Sequence, residues 1–320
     1  MTKVRILAND GLHEDGILLL NEAGYEVITE RVEQNNLPNV LPDFDVILVR
    51  SATKVRQDLI DACPNLKIIG RGGVGLDNID VQYAKEKGIE VYNTPSASSK
   101  SVAELVFGHL FSLSRSLHLA NREMPAQGES QFKALKKSYS KGVELRGKTL
   151  GIIGFGRIGC EVAKIGLGLG MDVMAVDPFI EKSTIQLDFA GHPELHLSID
   201  IHTTSKEKML EKADYISLHI PKLDEPVIGE KEIEKMKRGI ILVNASRGGM
   251  IDEDLLIRSL DSGKIGGIGL DVFDGEPVPK VALLNHPKIS VSPHIGASTG
   301  EAQANIGREL AEKIIQYFED

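Results

Sequence analysis

Between Thr149 and Asp177 the chain reads TLGIIGFGRIGCEVAKIGLGLGMDVMAVD: an apolar run, three glycines, a helical stretch and a second apolar run ending in an acid. The spacing G-x-G-x-x-G alone carries little weight. Here "LGII" before it reads as a buried strand and "RIGCEVAKI" after it opens a helix, and that context constrains the fold severely. In such a unit Gly154 permits the tight turn, Gly156 lets the backbone approach a pyrophosphate, and Gly159 packs helix on strand. Amides at the helix N-terminus then face the anion. Asp177 closes the next strand, where an acid accepts hydrogen bonds from an adenosine ribose and repels a 2′-phosphate, which selects NAD over NADP. A turn aspartate before Pro178, or a methyltransferase-like loop, is the competing reading.

This unit starts nearly halfway along 320 residues, a length that suits two domains. Ahead of it, "VRILAND", "FDVILVRS", "LKIIGRG" and "IEVYNTP" alternate with the helical patterns "EDGILLLNEAG", "RQDLIDAC" and "DVQYAKEKG". Continuous apolar strands alternating with amphipathic helices indicate a parallel sheet covered on both faces. The long helical stretch "KSVAELVFGHLFSLSRSLHLANREM" leads away, and the pattern restarts with "TLGIIGFG", "DVMAVDP", "DYISLHIP", "GIILVNAS", "GIGLDVF" and "ISVSPHIG". The expected fold class is α/β, two doubly wound parallel-sheet domains with a cleft between them. The stretch from Glu181 to Lys208 is the least readable part, and its "GHPELHLSIDIH" reads as an excursion.

A formal charge of −9 argues against a nucleic-acid footprint. One basic cluster, Lys133, Lys136, Lys137 and Lys141, stands out locally. Cys63 and Cys160 form neither a disulfide framework nor a metal-ligand spacing, so no metal is expected and a reducing compartment is the default. The start, MTKVRILAND, passes straight into a strand-like run without a signal-peptide pattern, and no apolar stretch nears the ~18 residues of a membrane span. A cytoplasmic location, with no membrane partner, is expected.

In open α/β sheets, ligands gather at strand C-termini. Three side chains there have complementary chemistry. Arg247, after "GIILVNAS", offers a planar fork for a carboxylate and a charge that polarises a keto oxygen. His294, after "ISVS", is suited to proton exchange near neutral pH. Glu276, in "DVFDGEPVP", can hold the far nitrogen of His294 and stabilise its protonated form. Singly each has a bland reading: a surface charge, a structural histidine, a solvated loop acid. His219, in "LHIP", is read as a cleft-wall residue, and His192, His196 and His202 as surface residues.

The strings GFGRIG, NASRGGMIDEDLL, GLDVFDGEP and SPHIGAST resemble the D-isomer-specific 2-hydroxyacid dehydrogenases over essentially the whole chain. The resemblance implies that Arg247 binds substrate, His294 is the acid/base and Glu276 its partner. It implies that Asp271 holds the nicotinamide carboxamide, and that Arg157, Ile158, His219, Pro221, Ala245, Ser246, Gly296 and Ala297 line the cofactor. Formate dehydrogenases, distant members, carry glutamine where this chain has Glu276.

Within that family the front half is most similar to the phosphoglycerate dehydrogenases, through ILVRSATKV, GRGGVGLDNID and VYNTPSASSKSVAEL. This implies a substrate domain of residues 1–98 and 293–320, flavodoxin-like, with an NAD-binding Rossmann domain of residues 99–292 inserted into it. It also implies oxidation of 3-phospho-D-glycerate to 3-phosphohydroxypyruvate and a homodimer through the cofactor domain. A glyoxylate or hydroxypyruvate reductase is the alternative, and an NAD(H)-sensing protein like the C-terminal-binding corepressors a distant one. Arg50, with Ser51 and Thr53 beside it, forms a cluster suited to phosphate oxygens, and the Val74 and Gly75 amides can curl around a carboxylate. The Lys133–Lys141 segment is expected to reach the phosphate in a partner subunit. The chain stops soon after its last helix, so a C-terminal regulatory domain and feedback by serine are not expected.

Overall fold

The structure is a computed structural model and describes residues 3–319. The chain divides into two compact units, Met1–Ser101 with Ala297–Asp320, and Val102–Gly296. These divisions fall a few residues beyond the 98/99 and 292/293 boundaries expected from the sequence.

The first unit is built on strands β1 (Arg5–Ala8), β2 (Glu26–Ile28), β3 (Val46–Val49), β4 (Ile68–Arg71) and β5 (Glu90–Asn93). All pair in parallel in the order β2-β1-β3-β4-β5, the flavodoxin-like order. The sequence reading did not single out β2, because a half-buried edge strand of three residues shows no apolar run. Side chains alternate between two buried clusters. Leu7, Ile47, Val49 and Ile69 pack with Leu37, Leu41, Leu59 and Ile60 on one face. Ile6, Ala8, Leu48 and Ile68 pack with Ile306, Leu310 and Ile314 of the C-terminal helix Gly300–Glu319 on the other. Each such fully buried Leu or Ile contributes roughly 1.5–3 kcal/mol. That helix crosses the helix Glu14–Glu22 so closely that a Cβ on Gly16 would lie 2.5 Å from the Gly307 carbonyl oxygen. Only glycine allows that approach.

The helix Ser99–Ser114 carries the chain into the second unit. Its main sheet contains β6 (Thr149–Ile153), β7 (Asp172–Val176), β10 (Tyr215–Leu218), β11 (Ile240–Asn244), β12 (Ile265–Leu270) and β13 (Ile289–Val291). They pair in parallel in the order β13-β12-β11-β10-β6-β7. Strand order reverses beside β6, which places a ligand crevice at the carboxyl ends of β6 and β10. These are the six strands expected from the sequence.

Between β7 and β10, the Glu181–Lys208 stretch resolves into an antiparallel hairpin forming a sheet of its own. Its strands are β8 (Lys182–Phe189) and β9 (His192–His202). Ile185, Leu187, Ile199 and Ile201 share one face and pack near Val162 and Ala175, whereas the more distal Phe189, Leu195 and Leu197 are exposed. His192 and His196 are solvent-facing and paired with Glu194 and Asp188. Among the described residues, no helix is long and apolar enough to cross a membrane, and no His/Cys/Asp/Glu group could hold a metal.

Candidate active site

The glycine loop joins β6 to the helix Arg157–Gly168. Gly154 has φ 92°, and a Cβ there would lie 2.3 Å from the His219 carbonyl oxygen. A Cβ on Gly159 would lie 2.2 Å from the Gly154 oxygen, so the first and third glycines are demanded by close packing. Gly156 is different. It is exposed at the helix start and a Cβ there would meet nothing within 4 Å. Arg157 and Ile158 open the helix, whose first-turn amides have no partner within it. Open space in front of free amides fits a dinucleotide pyrophosphate.

Asp177 serves the loop directly. Its Oδ2 accepts from the Phe155 amide at 2.8 Å, and its Oδ1 accepts from Phe179 and Ile180 at 2.9 and 3.1 Å. The turn-aspartate reading therefore holds, and one acceptor position remains on Oδ2 for a ribose hydroxyl. His219, just past β10, donates its amide to Ile153 at 2.7 Å and has Nε2 2.8 Å from Ser217 Oγ. Burial pushes its imidazole down to about 3, so the ring is neutral. Its Nδ1 is buried without a hydrogen-bond partner among the described residues. Such an orphan costs ~1–3 kcal/mol and fits a site completed by a ligand. Pro221 lies exposed two residues on.

A second group of candidate residues stands beyond β11, β12 and β13, neighbouring strands of the same sheet. His294 Nδ1 lies 2.9 Å from Glu276 Oε2, and Glu276 Oε1 accepts from the Phe273 amide at 2.9 Å. An ionised Glu276 can only accept, so the imidazole proton sits on Nδ1 and Nε2 is left for a reacting group. Both side chains are partly exposed, at 44% and 35%, so the pair is reachable from solvent. His294 adopts φ 56°, a left-handed conformation unusual for a non-glycine residue. Asp271, 1% exposed, holds that backbone in place. Its Oδ1 accepts from Ile295 N at 2.9 Å and Ser292 Oγ at 2.6 Å, and its Oδ2 from Gly296 N at 2.9 Å. One acceptor position on Oδ2 is left for a carboxamide.

Arg247 follows β11 on a loop turned by Asn244, whose Oδ1 accepts from the amide and hydroxyl of Ser246 and whose Nδ2 donates to the Arg247 carbonyl at 2.8 Å. The Ser246 hydroxyl is thus occupied within the loop, with Ala245 half-buried beside it. A Cβ on Gly248 would lie 1.9 Å from the Phe273 carbonyl oxygen, so the loop carrying Arg247 packs directly on the one that anchors Glu276. The three side chains singled out from the sequence therefore share one group of adjoining strand ends. Asn244 and Ser292 were not singled out; Asn two residues before Ser is an Asx-turn pattern and was readable, whereas Ser292 has no local signal.

In the other unit, Arg50 is half-buried and Ser51 exposed. Thr53 departs from the expectation. It is 3% exposed, and its hydroxyl donates to Asp10 Oδ1 at 2.7 Å while accepting from Asn9 at 2.8 Å. It belongs to the loop's framework and is withdrawn from any phosphate. Asp10 Oδ2 also accepts from the Arg50 and Thr53 amides, and Asn78 donates to both their carbonyls. The Val74 carbonyl accepts from Asn93 at 2.7 Å, and the Val74 and Gly75 amides donate to no acceptor among the described residues. Ala297 begins the chain's return to this unit, and its carbonyl accepts from Gln303 at 2.6 Å.

A glycine loop opening a helix and a histidine–carboxylate pair at adjoining strand ends fit a nucleotide-dependent enzyme, and comparison makes the class specific. Residues 107–296 match the model of the D-isomer specific 2-hydroxyacid dehydrogenase NAD binding domain. The chain belongs to the NAD-dependent D-isomer-specific 2-hydroxyacid dehydrogenase family. It is 45% identical to a hydroxypyruvate reductase of Thermotoga maritima, over 99% of both chains. It is 42% identical to a D-3-phosphoglycerate dehydrogenase of Methanocaldococcus jannaschii, over 97% of this chain but 57% of that relative's length. A 3-phosphoglycerate dehydrogenase of Entamoeba histolytica, solved with NAD+, superposes with a TM-score of 0.78 at 28% identity, covering 100% of this chain and 96% of the other.

Proposed function

We propose that the chain interconverts 3-phospho-D-glycerate and 3-phosphohydroxypyruvate. The observation carrying the chemistry is the His294–Glu276 pair, whose geometry leaves Nε2 as the one imidazole atom available to the substrate. In the oxidising direction neutral His294 takes the C2 hydroxyl proton at Nε2, and Glu276 stabilises the cation that forms. In reduction the protonated ring returns it, so the two directions have opposite pH dependence. Arg247 binds the carboxylate and polarises the carbonyl. NAD, when bound, accepts the C2 hydride. Gly154, Gly156, Gly159 and the amides of Arg157 and Ile158 receive its pyrophosphate, Asp177 its ribose, and Asp271 its carboxamide; His219, Pro221, Ala245, Ser246, Gly296 and Ala297 complete its surroundings. Arg50 and Ser51 take the phosphate, and the Val74 and Gly75 amides the substrate carboxylate. The acting form is a cytoplasmic homodimer, with Lys133, Lys136 and Lys137, exposed at the end of the helix Leu117–Ser138, reaching a partner's substrate.

Reduction of hydroxypyruvate is the second reading. It is favoured by the full-length likeness to the Thermotoga enzyme and by the withdrawal of Thr53 from the phosphate cluster. Absorbance of reduced nicotinamide, followed with phosphohydroxypyruvate, hydroxypyruvate and glyoxylate, separates the two. A preference for the phosphorylated acid that disappears in Arg50→Ala supports the first; equal or better turnover of hydroxypyruvate, unmoved by that change, establishes the second.

A further inference from the structure

One buried titratable side chain has no part in the reaction above. His109, 4% exposed, projects from the helix Ser99–Ser114 onto β12, where a Cβ on Gly269 would lie 2.5 Å from the His109 Cβ. Its Nδ1 is 2.9 Å from Ser290 Oγ and its Nε2 2.9 Å from Ser292 Oγ. Ser292 Oγ in turn donates to Asp271 Oδ1 at 2.6 Å.

The direction of these bonds can be deduced. Asp271 accepts from two backbone amides as well as from Ser292, and as a carboxylate it has no proton to give. The single Ser292 proton is therefore committed to Asp271, so its oxygen must accept from His109. That requires the Nε2–H tautomer and leaves Nδ1 to accept from Ser290. Burial holds the ring below the usual imidazole range against the opposing pull of Asp271, which keeps it neutral and the chain directed. Residue 109 is thus connected through one hydroxyl to the carboxylate that pins the amides of Ile295 and Gly296, the two residues following His294.

We propose that His109 is a positioning residue: its Nε2–H orients the Ser292 hydroxyl on Asp271, and Asp271 thereby keeps both the left-handed backbone of His294 and the acceptor oxygen offered to the cofactor. The consequence for turnover rests on the function proposed above; the hydrogen-bond chain itself does not. A histidine that merely fills the core would be replaced by leucine with little change in NADH affinity or turnover. Hydrogen-bond chains of this kind act as units, and their members' effects are not additive.

The test combines one measurement on the cofactor-free protein with one variant series. Nitrogen-15 imidazole spectra should show His109 as the Nε2–H tautomer. His109→Leu and Ser292→Ala should each lower kcat and weaken NADH binding, read by fluorescence, by roughly tenfold, and the double variant should lose no more than either alone. His109→Gln, which keeps a donor near Nε2, should recover most of the loss. An Nδ1–H tautomer would overturn the proposal, as would normal turnover and NADH binding in His109→Leu, or a His109→Gln as impaired as the leucine variant. If His109→Leu does not fold, Ser292→Ala and the tautomer decide. A parent protein that oxidises no 2-hydroxy acid overturns the functional reading instead, and the spectra still decide the hydrogen-bond chain.

Discussion

The loop carrying Arg50 and the loop carrying His294 use the same device in different units. Each follows a strand, β3 or β13, and each is held by an aspartate beyond the neighbouring parallel strand, Asp10 after β1 or Asp271 after β12. The distribution of acceptors differs. Both loop amides held by Asp10 share Oδ2, and its Oδ1 faces only the rotatable Thr53 hydroxyl. Asp271 places one backbone amide on each oxygen. An asparagine at position 10 could keep both loop amides on its oxygen and turn its amide toward Thr53, whose oxygen can accept from it as well as from Asn9, so that only the Thr53 hydroxyl proton loses its acceptor. At Asp271 either orientation sets an N–H against an N–H. The loop carrying His294 thus requires an acceptor at both carboxylate oxygens, and the loop carrying Arg50 requires one only at Oδ2.

The largest effect that would break this contrast is at the loop carrying His294. His294→Ala should lose ~10²–10⁴ in kcat with every substrate tried, the usual consequence of removing a general acid/base; steady-state rates near the parent's would leave the Nε2 geometry without function. Asp271→Asn should come next, destabilising the protein by ~2–4 kcal/mol because it buries a mismatched donor. Asp10→Asn should change stability by about 1 kcal/mol or less. Denaturation midpoints of the two variants measure the difference directly, and equal losses would refute the argument from acceptor distribution. Arg50→Ala should be selective, reducing kcat/KM for the phosphorylated acid by roughly 10–100-fold while leaving hydroxypyruvate almost unaffected.

The same contrast explains what the sequence disclosed. Strands β3, β4, β6, β10 and β11 are legible because both sheet faces are covered, so the apolar run is continuous. The glycine loop is legible because packing on His219 and on the loop's own backbone excludes side chains at Gly154 and Gly159. His294 and Glu276 are separately ambiguous, and it is their common place at strand ends that makes them readable. Thr53 was misread as a ligand because its partner, Asp10, is 43 residues away. The Asp271–Ser292–His109 chain escaped for the same reason, since Ser292 and His109 are 183 positions apart. The β8–β9 hairpin does carry a period-2 pattern, Ile185, Leu187 and Phe189 before Gly191 and Leu195, Leu197, Ile199 and Ile201 after it, but its antiparallel pairing interrupts the parallel α/β rhythm on either side.

The last expected effect concerns acid, and it should also divide the units. His219 has its imidazole pushed down to about 3 by burial, and His109 is lowered by burial too. An unfolded histidine titrates near 6.5. Below that value the unfolded chain takes up protons that the folded unit refuses, so stability falls as pH drops, by up to about 1.4 kcal/mol per pH unit for each group. The contribution is complete above pH ~6.5 and, for His219, is lost progressively toward 3. Carboxylates held low, such as Asp214 beside Lys237 and Glu232 beside Lys206, matter only in more acidic solution, near and below their ordinary range. Both buried imidazoles lie in the NAD-binding unit. Hydrogen-exchange protection factors for β10 amides should therefore drop between pH 7 and 5.5 while those of β1 and β3 hold. Replacing His219 with asparagine should flatten the β10 response; an equal decline in both sheets would mean the neutral imidazoles do not set the acid sensitivity.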